Sequence, residues 1–122
     1  MKNEIKILIV EDEVMIAQSM KMDLEYAGYK VYKYLTTGEE AIKFALEEKP
    51  NMILMDIHLV GEIDGIEAAK AITDKINIPI IFMTGYDESL IFERAQKLKP
   101  VAYLTKPVGI WNLKLIIDSI FS

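Results

Sequence analysis

Cysteine is absent from the 122 residues, which removes disulfides, thiolate metal sites and cysteine nucleophiles together. Histidine occurs once, at His58, so a soft-metal centre lacks its usual ligands. Basic residues are in the minority: 14 Lys and Arg against 19 Asp and Glu leave a formal net charge of −5, the wrong sign for a nucleic-acid surface. No apolar run approaches the roughly 20 residues that cross a bilayer, and no N-terminal stretch has the layout of a signal peptide. What is present is a chain 52% hydrophobic, long enough to bury one core without staples. The expectation is one soluble, cytoplasmic domain over residues 1–122, with no direct contact to nucleic acid or membrane.

Short apolar runs alternate with helical spacing from end to end. IKILIV (5–10) is β-branched and apolar on both faces, as a buried parallel strand is. Ile16, Ala17, Met20, Leu24 and Ala27 then recur at helical spacing, and Gly28 sits where a left-handed helix end falls. KVYKYL (30–35) alternates and predicts an edge or half-exposed strand. Thr37 and Glu40 form a capping box for a helix that ends before Pro50. NMILMD, IPIIFMT and VAYLT are the next strands, and GIEAAKAITDKI, ESLIFERAQKL and IWNLKLIIDSIF the helices between and after them. Five strands alternating with five helices predict a doubly wound α/β fold, a parallel sheet covered on both faces.

That architecture locates the chemistry. Open α/β sheets bind ligands beyond the carboxyl ends of their strands. Those ends carry Glu11 and Asp12, then Asp56, then Thr84, then Lys106. Clustered carboxylates repel, and the like charge drives at least one towards protonation. A hard divalent cation resolves the conflict, and Mg²⁺ suits oxygen ligands that include a few carboxylates and a phosphate. Lys106 supplies a point charge for an anionic oxygen, and Thr84 a hydroxyl donor. The set suits phosphoryl transfer, with Asp56 the nucleophile that forms an acyl phosphate.

With these residues in place the chain resembles a response-regulator receiver domain, the phosphoacceptor module of two-component signalling. LIVEDE, ILMDIHL, DGIEAA, IIFMTG and AYLTKP carry the resemblance, in the family's order and at the expected strand ends. It covers the whole chain and implies a flavodoxin-like, five-stranded parallel sheet of order 2-1-3-4-5. Asp56 then looks like the phosphorylated aspartate, and Glu11 and Asp12 like the acidic pair that holds Mg²⁺, with Mn²⁺ an acceptable substitute. His58 occupies the position whose backbone carbonyl is a metal ligand. Thr84 looks like the switch hydroxyl and Tyr103 like the aromatic that turns inward with it. Lys106 looks like the lysine that pairs with the phosphoryl oxygen, and Lys106–Pro107 like the family's cis peptide bond. The implied donor is a sensor histidine kinase or a histidine phosphotransfer protein. The implied output is the surface of the fourth helix, fifth strand and fifth helix, through a downstream protein, a covalently linked output domain or a homodimer. The implied activity is a switch with slow self-dephosphorylation, not a turnover enzyme.

Several positions keep more than one reading. The His58 ring is expected to point outward at the mouth of the site, where it and Tyr86 could influence access to Asp56. Asp64–Gly65 is taken as a turn and helix start. Ile91 and Phe92 are adjacent and cannot both face the core, so one belongs to an output or dimer surface. Trp111 is core or a partner contact. IHLVGEIDG is one residue longer than the commonest receiver loop and lacks its proline, and Val108 stands where an aromatic is common. The rival classes are an aspartate-nucleophile phosphohydrolase, which needs an acid where His58 stands, and an interaction domain that has lost phosphorylation.

Overall fold

A computed structural model describes residues 5–85 and 88–121, so the expectation attached to Tyr86 lies outside the described residues. The elements run β1 (Lys6–Val10), α1 (Val14–Tyr26), β2 (Lys30–Leu35), α2 (Gly38–Glu48), β3 (Met52–Asp56), α3 (Gly65–Thr73), β4 (Ile80–Thr84), α4 (Ser89–Gln96), β5 (Ala102–Thr105) and α5 (Ile110–Phe121). The strands form one sheet of order β2-β1-β3-β4-β5. All four pairings are parallel. The doubly wound, flavodoxin-like arrangement expected from the sequence is the one observed.

The central strands are buried along their whole length, β3 and β4 at all five positions, because helices cover both faces of the sheet. Alternation along the strands divides the core in two. Leu8, Val10, Ile53, Met55 and Phe82 pack against Ala41, Ala45, Ala68, Ile72 and Ala95 of α2, α3 and α4. Ile7, Ile9, Met52, Leu54, Ile81 and Met83 pack against Ala17 and Leu24 of α1 and Leu113 and Ile117 of α5. The outer strands differ from this pattern. In β2 only Val31 and Leu35 are buried. The ammonium of Lys33 lies 5.5 Å from the Phe44 ring centre, and that of Lys6 5.1 Å from the Tyr32 ring. Register with β1 shifts between Ile7 and Leu8. β5 has only four residues and runs between Pro100 and Pro107.

Local signals account for most helix boundaries. Gly28 has φ +103°, the left-handed turn predicted after α1. The Thr37 hydroxyl accepts the Glu40 N–H at 3.2 Å, but Glu40 Oε1 takes the Thr37 hydroxyl at 3.0 Å, so only half of the expected box is made. A complete box stands at α3 instead. Asp64 Oδ1 accepts the Glu67 N–H at 2.8 Å while Glu67 Oε1 accepts the Asp64 N–H at 2.9 Å. The first residue of α3, Gly65, has no alternative, because a Cβ there would lie 2.0 Å from the carbonyl oxygen of Asp56. That contact fixes the start of α3 against the end of β3.

Candidate functional site

Four strand ends meet at the carboxyl edge of the sheet. Glu11 and Asp12 follow β1, Asp56 and Thr84 close β3 and β4, and Lys106 follows β5. Backbone hydrogen bonds continue the sheet into this edge. Ile57 N–H donates to the Met83 carbonyl at 2.9 Å and Lys106 N–H to the Thr84 carbonyl at 2.8 Å. The side chains are thus set by strand pairing rather than by flexible loops. Glu11, Asp56 and Thr84 are the polar and charged residues buried in the described chain.

Carboxylate oxygens of Glu11, Asp12 and Asp56 lie within 4.8 Å of one another. Lys106 Nζ stands 2.6 Å from Glu11 Oε1 and 3.0 Å from Asp56 Oδ2, and is itself about one-fifth exposed. The remaining Asp56 oxygen, Oδ1, accepts the His58 N–H at 3.2 Å. Glu11 Oε2 accepts the Glu13 N–H at 3.2 Å. Three carboxyl groups and one ammonium therefore share a small, largely buried volume.

Burial is the first reason that Asp56 binds its proton tightly. The neighbouring Glu11 adds to it, Lys106 opposes both, and the carboxyl is pushed up from 3.8 to about 7. The sequence led us to expect like-charge repulsion as the main cause, whereas desolvation is the larger one. Glu11 is held low: burial works to raise it, but hydrogen bonds with Asp56, Lys106, Asp12 and the Glu13 backbone outweigh that. Burial likewise works to lower Lys106, and its two carboxylate partners more than reverse this. A buried carboxyl that resists losing its proton, with a second acid beside it, is the condition a divalent cation relieves. Oxygen donors, no thiolate and a lysine beside them fit Mg²⁺ better than a softer metal.

The other predicted residues take defined places. Thr84 is buried at the end of β4, in register with Thr105. Tyr103 lies in β5 opposite Phe82, its hydroxyl shielded from solvent and its ring edge-on to Phe92 of α4 at 5.0 Å. It sits on the α4 side rather than among the carboxylates. Lys106–Pro107 is cis. His58 departs from expectation. The residue is half-buried and its Nε2 is shielded from solvent, and the chain turns back beside it, Leu59 N–H donating to the Ile57 carbonyl at 3.2 Å. The longer loop is anchored by Leu59 and Ile63, which pack on the core, while Val60 is exposed. Ile91 packs on the core and Phe92 is 45% exposed, which divides that pair as the sequence required. Trp111 is 71% exposed and so is not core. An apolar cleft of about 370 Å³ opens beside Lys106, between Ile16 and Met20 of α1 and Val108.

Sequence reasoning missed two contacts. Arg94 Nη2 of α4 pairs with Asp64 Oδ2 at 3.0 Å, and Asp64 and Glu67 form the box at α3. The D-x-x-E spacing was the available signal for the second. Nothing in one sequence signals the first.

Comparison with known proteins gives the family and agrees with the fold. The response regulator receiver domain family matches residues 7–118. The transcriptional regulatory protein PdtaR of Mycobacterium tuberculosis is 34% identical over 108 residues, 88% of this chain and 52% of that protein. The alkaline phosphatase synthesis transcriptional regulatory protein PhoP of Bacillus subtilis is 38% identical over 103 residues, 84% of this chain and 42% of that protein. The chain thus spans about half or less of the length of these curated relatives. Among solved structures, the signal receiver domain of a modulated diguanylate cyclase from Desulfovibrio desulfuricans G20 superposes with a TM-score of 0.88 at 38% identity, covering 93% of this chain and 90% of that one.

Proposed function

The chain belongs to the response regulator receiver domain family, and from that membership we propose that Asp56 accepts a phosphoryl group in a Mg²⁺-dependent reaction. One observation carries the reading: Asp56 shares its site with two further carboxylates within 4.8 Å and with a lysine at 3.0 Å. Glu11, Asp12, Asp56 and the His58 carbonyl would hold the ion, which supplies positive charge to the phosphoryl oxygens when bound. An Asp56 oxygen attacks the phosphorus of a phosphohistidine donor. The O–P bond forms as the P–N bond breaks, and the departing imidazole takes up a proton. Lys106 then leaves its carboxylate partners for a phosphoryl oxygen, and Thr84 donates its hydroxyl to another.

The donor is a sensor histidine kinase or a phosphotransfer protein, and the cytoplasm, where such donors are charged, is the compartment this chemistry requires. The readout is a population shift, since only contacts made in one of two states can move the balance between them. The face of α4, β5 and α5 suits it: Leu90, Phe92, Val101, Trp111 and Leu115 are exposed there. A linked output domain, a separate protein or a second copy would read that face. Turnover of free phosphoesters is not expected, because the position two residues after Asp56 is His58 and supplies no second acid.

Incubation with Mg²⁺ and a small-molecule phosphodonor, followed by intact mass, tests the reading directly. The parent should gain one phosphoryl group that hydroxylamine removes, and Asp56→Asn should gain none. Equal labelling of the variant would defeat it.

A further inference from the structure

Helix α4 is lightly seated. It buries Ala95 alone, with Ile91 partly packed against the core. A cleft of about 380 Å³ separates it from α3, with Ile66 and Lys70 on one side and Arg94 and Leu98 on the other. One ion pair bridges the two, Arg94 Nη2 to Asp64 Oδ2 at 3.0 Å. Arg94 is the only arginine in the chain. Every other ion pair among the described residues either joins positions four apart within one helix or belongs to Lys106.

Asp64 is a fixed point, not a mobile surface carboxylate. Its second oxygen caps α3 through the Glu67 N–H, and its own N–H is held by Glu67. The adjoining Gly65 lies against the Asp56 carbonyl and donates its N–H to the Ile57 carbonyl at 2.8 Å. A continuous path of contacts therefore leads from the end of β3, through Gly65 and Asp64, to α4. Two residues before Arg94, Phe92 touches Tyr103. These ties accompany the arrangement in which Lys106 binds Asp56 and Glu11 directly.

We propose that the Arg94–Asp64 pair is a latch that holds α4 in this resting arrangement and opposes charging of Asp56. The inference rests on the phosphoacceptor reading above. A contact made in only one state taxes any ligand that favours the other, and by linkage its removal tightens that ligand. Partly exposed ion pairs are worth a factor of about 1.5 to 5 in such an equilibrium.

The test uses Mg²⁺ with beryllium fluoride as a phosphoryl mimic, titrated into the full chain and followed by amide chemical shifts around Asp56. Arg94→Gln and Asp64→Asn each remove the charge pair, and asparagine preserves the α3 cap. Each variant should half-saturate at about 1.5- to 5-fold less mimic than the parent, and the double variant should gain no more than either alone. Raising the salt should narrow the gap between parent and variants. Half-saturation unchanged or raised in either variant, or gains that add in the double variant, would overturn the latch and leave the phosphoacceptor reading intact. Failure of the parent to take up the mimic would instead remove that reading, and the latch with it.

Discussion

Replacing Asp56 with asparagine should stabilise the metal-free protein at alkaline pH. The carboxyl is 2% exposed, and its burial, reinforced by Glu11 and only partly countered by Lys106, carries it from 3.8 to about 7. Unfolding returns it to the ordinary carboxylate range. The folded protein therefore holds this proton more tightly than the unfolded chain does. The group costs nothing near pH 4, costs progressively more as pH rises, and reaches its full cost above about pH 7. Such a gap is worth about 4 kcal/mol for an isolated group. Glu11, held low by the same contacts, returns part of it. Asparagine carries no charge to bury and still offers an amide donor to Glu11. In a domain of this size each kcal/mol corresponds to about 4 °C in Tm, so the surplus that remains amounts to several degrees. Thermal unfolding of parent and variant in a chelator, at pH 5 and pH 8, should show the variant ahead by that amount at pH 8 and by less at pH 5. A variant no more stable than the parent at pH 8 would refute the reasoning, since Lys106 would then have fully compensated the buried charge. Added Mg²⁺ should raise the parent's Tm more than the variant's.

Mg²⁺ must displace the proton on Asp56, so its affinity should fall as pH drops below about 7, with proton release visible by calorimetry in buffers of different ionisation enthalpy. Gly65→Ala would set a methyl 2.0 Å from the Asp56 carbonyl oxygen. Because the obstacle is backbone, a loss of about 3 kcal/mol is expected from the urea midpoint, and an unchanged midpoint would contradict the close approach. Tyr29→Phe removes the hydroxyl that donates to Asp118 and to the Lys114 carbonyl, and should cost about 1 kcal/mol on the same measurement. The sole tryptophan, Trp111, should be quenched by acrylamide nearly as efficiently as the free amino acid, whereas a partner on α5 should protect it.

The fold was legible because its determinants are local and repeated. Buried parallel strands such as MILMD and IIFMT are apolar up to their last residue, and each is followed by helical spacing. The site was legible for a related reason: strand ends are easy to find, and the architecture gathers them at one edge. What stayed hidden depends on distance between segments far apart in the chain. No periodicity tells that Lys106 bridges Glu11 and Asp56, or that Arg94 meets Asp64. The Thr37–Glu40 box is only half made because the glutamate finds the hydroxyl before the amide, a choice that spacing does not encode. His58 was misjudged on exposure, since whether a loop side chain is covered depends on segments folded over it and not on its own neighbours in sequence.

The two outer strands carry a consequence for assembly. A bare sheet margin is a template on which another chain can lay a strand. Here one margin carries Lys30 and Lys33, the second spread over the Phe44 ring, and its register with β1 shifts. The other is four residues long and bracketed by prolines that have no N–H to offer. Neither invites ribbon-to-ribbon growth. Self-association is thereby left to helix faces, where side chains rather than backbone set partner, geometry and strength. An interface of that kind can be made reversible and can close on itself, and crowding many copies together does not push the fold towards fibres.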